Sequence, residues 1–104
     1  MRVKLIRDRG PISVGEARPA NTLAGKHLAL VAKLNEEVDE IARDATNVEE
    51  YADLLEALRE LAFINGVMFE DIEAARVEKR ERLGGFNRGM VWSVDVPTRA
   101  SWPP

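Results

Sequence analysis

Two apolar repeats, separated by a break of a few residues, set what this chain can fold into. The first is Val31, Leu34, Val38, Ile41 and Ala45, at spacings of 3, 4, 3 and 4, one face of an α-helix. The second is Tyr51, Leu54, Leu55, Leu58, Leu61 and Ala62. Asn21 or Thr22 is a suitable N-cap for a first helix that runs to about Asp44. Thr46-Asn-Val-Glu49 reads as a capping box that opens a second helix at about Val48. Asn65-Gly66 closes that helix near Ile64, with glycine in a left-handed cap. The connection Asp44–Asn47 is too short to let the two helices part, so they are antiparallel neighbours.

A third helix is expected over Phe69–Leu83. Its apolar face is sparse: Ile72, Ala75 and Leu83. Glu70 and Asp71 open it, and Lys79, Arg80 and Arg82 end it, as the helix dipole prefers. Gly84-Gly85-Phe86 breaks it. The ends are less regular. In Met1–Ile6, Val3 and Leu5 alternate with charge, which fits an edge strand or an extended arm. Arg9-Gly-Pro and Arg18-Pro are breakers, so residues 8–21 read as loop, with Gly15 and Pro19 inside it. Met90–Val96 is expected as a short strand, and residues 97–104, with Trp102, as a tail. The expectation is one all-α domain over 1–104, with residues 1–21 as N-terminal arm and loop. A chain of 104 residues buries a limited core. A monomer would leave much of the apolar stripes uncovered. The fold is therefore expected as a helical bundle completed by oligomerisation, a homodimer or a dimer of dimers, with short irregular or extended arms.

Composition removes several chemistries. There is no cysteine, which excludes disulfides, thiolate nucleophiles and zinc–sulfur sites. The single histidine, His27, leaves no basis for a multi-histidine metal site and reads as a helix-surface or packed residue. No apolar run is long enough to span a membrane, and the N-terminus lacks an apolar signal region. A cytoplasmic protein with no membrane partner is expected.

Charge is segregated. Residues 1–9 carry four bases (Arg2, Lys4, Arg7, Arg9) against Asp8, a net +3. Residues 34–73 carry thirteen acids against Arg43 and Arg59, a net −11. Residues 76–99 carry six bases against three acids, again +3. A nucleic-acid polymer would call for a continuous basic face. An acidic centre with basic flanks suits a phosphate ligand bridged through a cation.

The acids have helical spacing. Glu37 with Glu40, and Glu50 with Asp53, stand three apart, with Cβ atoms roughly 5–6 Å from each other on one helix face. At about 100° per residue, Lys33, Glu37, Glu40 and Asp44 form a stripe beside the apolar one. Glu36 falls nearly opposite the apolar centre. Glu49 has a purely structural reading, as the closing residue of the capping box. Two facing pairs would give four hard oxygen ligands, which suits Mg²⁺, or Mn²⁺ in its place, bridging to phosphate oxygens.

Taken in order, Lys4-Leu-Ile-Arg-Asp8, Lys33-Leu-x-Glu-Glu-x-x-Glu40, Glu49-Glu-x-Ala-Asp53 and Glu78-Lys-Arg-x-Arg-x-Gly-Gly-Phe86 resemble the all-α nucleoside triphosphate pyrophosphohydrolases. The resemblance is greatest to their phosphoribosyl-ATP pyrophosphohydrolase-like branch, related to MazG and the dimeric dUTPases, and covers roughly residues 3–91. It implies that Glu36, Glu37, Glu40, Glu50 and Asp53 correspond to the family's metal motif. It also implies cleavage between the α- and β-phosphates, giving a nucleoside monophosphate and pyrophosphate. Two features depart from the family pattern. Only nine residues separate Glu40 from Glu50, and Met68 stands where a Ser or Thr cap would precede the third helix.

With no cysteine and one remote histidine, a metal-activated water is the economical attacking group. Glu37, Glu40, Glu50 and Asp53 are the candidate metal ligands. Glu36 is placed to reach a second ion or to orient water, and is paired with Glu37 as a catalytic candidate. Lys79, Arg82 and Arg88, with Lys4 and Arg7 behind them, are candidates to hold the distal phosphates; their alternative is ordinary surface charge. The alternative for the whole chain is a non-catalytic helical nucleotide-binding or assembly module.

Overall fold

The computed structural model describes residues 4–9 and 17–92. It contains three α-helices: α1 (Leu23–Arg43), α2 (Val48–Ile64) and α3 (Phe69–Leu83). Among the described residues there is no strand, so the fold class is all-α, as the periodicity predicts. Residues 90–92, the start of the expected C-terminal strand, are irregular. Its remainder, Gly15 and the tail with Trp102 lie outside the described residues. Two compact units divide the chain, Met1–Ile72 and Glu73–Pro104. No helix among the described residues is long and apolar enough to cross a membrane.

Local chemistry accounts for the helix ends. The Thr22 hydroxyl accepts from the Gly25 N–H at 2.9 Å, a side-chain N-cap. At the far end of α2, Gly66 takes φ 79°. There the Val67 N–H donates to Ala62 O and the Gly66 N–H to Phe63 O, the paired bonds of a Schellman cap. Gly84, at φ 81°, likewise ends α3.

The expected capping box does not form. Asn47, not Thr46, caps α2, its Oδ1 accepting from the Glu49 N–H at 3.0 Å. Thr46 is already engaged: its hydroxyl and its N–H both donate to the Asp44 carboxylate, at 2.7 and 3.2 Å. Asp44 builds a side-chain turn that moves the cap one residue along. Those bonds also hold the Asp44 carboxyl below its usual range. The Tyr51 hydroxyl donates to Ala45 O at 2.9 Å and ties this turn to α2.

α1 and α2 pack against each other, and residue pairs along them show the antiparallel sense. Lys26, early in α1, meets Glu60, late in α2, at 2.6 Å. The Asn65 side-chain amide donates to Leu61 O at 2.8 Å and lies 3.1 Å from His27 Nδ1. His27 thus has a packing partner at a helix end.

The buried faces differ in rotation from the stripes read from sequence. On α1 the most buried residues are Leu30 and Glu37, while Val31 and Val38 are 37% and 36% exposed. Leu30, Leu34, Glu37 and Ile41 keep the same alternation of fours and threes, turned by one residue. On α2 the buried residue is Ala57, whose small side chain permits close helix approach; Tyr51, Leu55 and Leu58 are exposed. The shift brings Glu37 from the border of the packed face to its centre.

Candidate metal centre

Three carboxylates meet where α1 crosses the first turns of α2. Glu37 comes from α1, and Glu50 and Asp53 from successive turns of α2. One oxygen from each lies within 4.8 Å of the others. The helix pairing brings them together: the buried α1 face presents Glu37, and the half-buried face of α2 presents Glu50 and Asp53.

Glu37 sets the electrostatics. It is 3% exposed. One oxygen, Oε1, pairs with the Lys33 ammonium at 3.1 Å, a contact one helical turn away. The other, Oε2, is buried with no hydrogen-bond partner. A buried polar atom left unpaired costs about 1–3 kcal/mol, and more when charged. Proton sharing is the relief open to the protein alone. Glu50 stands close enough to bond Glu37 when it carries a proton, is partly desolvated, and faces the charges of Glu37, Glu40 and Asp53. Its carboxyl is pushed up to about 7, so near neutrality it can donate to Glu37.

Glu40 does not join the converging atoms. Its Oε1 lies 3.5 Å from Arg43 Nη1, in the last turn of α1. The expected quartet is therefore a triad, with Glu40 on its flank adding negative field. Arg43 draws it aside, because oppositely charged residues three apart on a helix are neighbours that pair.

Glu36 points elsewhere: its Oε1 lies 3.1 Å from the Lys4 ammonium and 3.8 Å from that of Lys33. With Lys4, Asn35, Glu40 and Arg43 it borders an open groove of about 650 Å³. Arg7 bonds Asp53 directly, Nη2 to Oδ1, at 2.5 Å. Lys4 and Arg7, read from sequence as phosphate holders, thus both engage acids of the centre or its border. Lys79, Arg82 and Arg88 belong to the second unit, where Arg82 donates to Glu78 at 2.7 Å.

Sequence reasoning passed over Lys33 as the counter-charge of Glu37, although the i, i+4 spacing was visible. The Arg7–Asp53 contact spans 46 residues and left no local signal. The chain matches no protein-family model, and comparisons with curated proteins and with solved structures return no match.

The donor set fits a hard divalent cation. It offers three carboxylates, one of them buried with an unsatisfied oxygen, and no nitrogen or sulfur ligand. Mg²⁺ is commonly held by a few carboxylates together with waters and substrate phosphates.

Proposed function

We propose that this chain is a Mg²⁺-dependent nucleoside triphosphate pyrophosphohydrolase that cleaves the α–β anhydride, in the manner of the MazG-like family its motifs resemble, and acts in the cytoplasm. The observation that carries the metal half of this reading is the buried, unpartnered Glu37 Oε2 inside a triad of acids. The pyrophosphohydrolase half rests on the sequence pattern. Glu37, Glu50 and Asp53 would hold the cation, and Glu40 would swing in from Arg43 to join them. Bound there, Mg²⁺, or Mn²⁺ in its place, would supply Lewis-acid activation of water and neutralise phosphate charge. Glu36, bonded to Lys4 in this state, would have to leave that pair to orient the attacking water. Lys4 and Arg7, in the same unit as the triad, are the cations offered to the phosphates; Lys79, Arg82 and Arg88 are offered on the sequence pattern alone.

The working unit in this reading is a homodimer or a dimer of dimers. Support comes from Val31 and Val38 on α1 and Tyr51, Leu55 and Leu58 on α2, all exposed. The described core contains only Leu30 and Ala57 as buried apolar residues, too little for an isolated helix pair, since most helical stability comes from packing. Sedimentation at micromolar concentration should find an oligomer; a compact, stable monomer would refute this part.

The activity test is a nucleotide panel with pyrophosphate detection, in Mg²⁺ and in Mn²⁺. Metal-dependent release of pyrophosphate from at least one triphosphate is expected. Metal binding without turnover of any nucleotide would favour a non-catalytic nucleotide-binding module instead.

A further inference from the structure

The N-terminal segment 4–9 has no regular secondary structure, yet it is fixed at two charged points. Lys4 bonds Glu36 on α1, and Arg7 bonds Asp53 on α2. Between them Leu5 and Ile6 are half-buried. The segment therefore runs from one helix of the pair to the other, beside the acidic centre. Arg7 does not bond an arbitrary surface acid. It bonds one of the three carboxylates that converge, and its positive charge also senses Glu37 and Glu56.

A cation entering the triad needs the charge that Arg7 already holds. A guanidinium hydrogen-bonded to a ligand carboxylate stands within a few ångströms of any ion bound to that carboxylate, so the two positive charges repel. Each then weakens the other by the same factor, because coupling between two binding events is reciprocal. The alternative is that Arg7 steadies Asp53 from outside while the ion uses the other oxygen, as outer-shell partners of metal ligands do. The two arrangements predict opposite effects of removing Arg7. Charge favours the first. Glu37 already has Lys33 as a neighbour, so a dication with Lys33 and Arg7 would bring four positive charges to the three converging carboxylates, and even with Glu40 drawn in would leave no negative excess to hold Arg7.

We infer that Arg7 is an internal counter-ion of the metal centre, released when a divalent cation binds, so that loading the metal frees the arm's guanidinium for an anionic ligand. This rests on the metal reading of the triad. In the metal-free protein the arm covers Asp53; in the loaded protein Arg7 is free beside a site that holds a cation and attracts phosphate.

The test is calorimetric titration of the full chain with Mn²⁺ at low salt, without nucleotide, for wild type, Arg7→Ala and Glu50→Gln. Arg7→Ala should bind Mn²⁺ about fivefold more tightly or better, and the gain should shrink at high salt as screening removes the repulsion. Tryptic cleavage after Arg7 in the wild type should also quicken when Mn²⁺ is added. Unchanged or weaker binding in Arg7→Ala, with wild type binding and Glu50→Gln impaired, would overturn the counter-ion role and leave the metal centre standing. No Mn²⁺ uptake by wild type or Arg7→Ala would overturn both.

Discussion

The two ends of the α1–α2 pair are built from the same helices and solve the same problem differently. At one end Lys26 meets Glu60 at 2.6 Å, and Asn65 links His27 to the backbone of α2. Opposite charges face each other, both half-exposed, and every group has an evident partner. At the other end Glu37, Glu50 and Asp53 converge. Lys33 and Arg7 partly offset them, and one buried oxygen has no partner. Packing alone would be served better by the first arrangement. Like charges crowded together oppose ionisation, so the acidic end costs stability that the opposite end does not. An arrangement that costs stability while converging hard ligands is the pattern expected of a site.

Removing one acid is the strongest way to break this contrast. Glu50→Gln keeps the shape and deletes a charge. It should relieve repulsion in the metal-free protein, so its melting temperature in EDTA should equal or exceed that of wild type. Turnover should fall by about two orders of magnitude or more, because the cation's role in charge stabilisation is worth several kcal/mol. Added Mg²⁺ should raise the wild-type melting temperature by mass action, and the variant's much less. Full activity in Glu50→Gln would reject both the site and the pyrophosphohydrolase reading.

Acidity gives a second handle. The Glu50 carboxyl is raised from 4.5 to about 7, first by its hydrogen bond to Glu37 and then by burial and the neighbouring acids. The folded state therefore binds this proton more tightly than the unfolded chain does. Its stabilising contribution is full below about pH 4.5 and is lost as pH rises through about 7. In EDTA the wild type should melt higher at pH 5 than at pH 8, and Glu50→Gln should flatten that difference. Mg²⁺ binding should strengthen over the same rise, since the ion needs the carboxylate. A pH-independent melting temperature in EDTA would mean that Glu50 does not share its proton in the folded protein.

These experiments concern features of unequal legibility in the sequence. The helix limits were readable because they rest on local chemistry: Thr22 caps α1, and Gly66 takes the positive φ that only glycine adopts cheaply. The α2 cap misled because Thr46 and Asn47 are both good caps, and only the side-chain turn at Asp44 decides between them. The rotation of α1 was harder. Val31 and Leu30 lie about 100° apart around the axis, and each begins a run with near-identical spacing. Ala57 carries little apolar signal, yet its smallness lets the helices close on one another. Three of the four expected metal ligands converge because they sit on the paired faces. The Arg7 contact was invisible, since nothing local in residues 4–9 names Asp53 as its partner.

The smallest expected effect lies at the balanced end. Lys26 and Glu60 are 40% and 39% exposed, so solvent screens their attraction, and exposed ion pairs are typically worth about 0–1 kcal/mol. Lys26→Ala leaves Glu60 facing water, where an unpaired carboxylate is well solvated. Its melting temperature should therefore change little, and Mg²⁺ response not at all. Lys33→Ala looks equally mild in sequence, since both lysines sit on α1 and both pair with a glutamate. Its partner Glu37 is buried, however, and would lose the ammonium bonded to Oε1. Breaking such a pair strands a buried charge, so Lys33→Ala should cost about 1–3 kcal/mol in EDTA. Mg²⁺ should recover much of that loss by supplying the missing positive charge. Parallel thermal melts of the two variants, with and without Mg²⁺, measure the difference between the ends directly. Equal effects of the two substitutions would show that Glu37 is solvated in solution, and the contrast between the two ends would disappear.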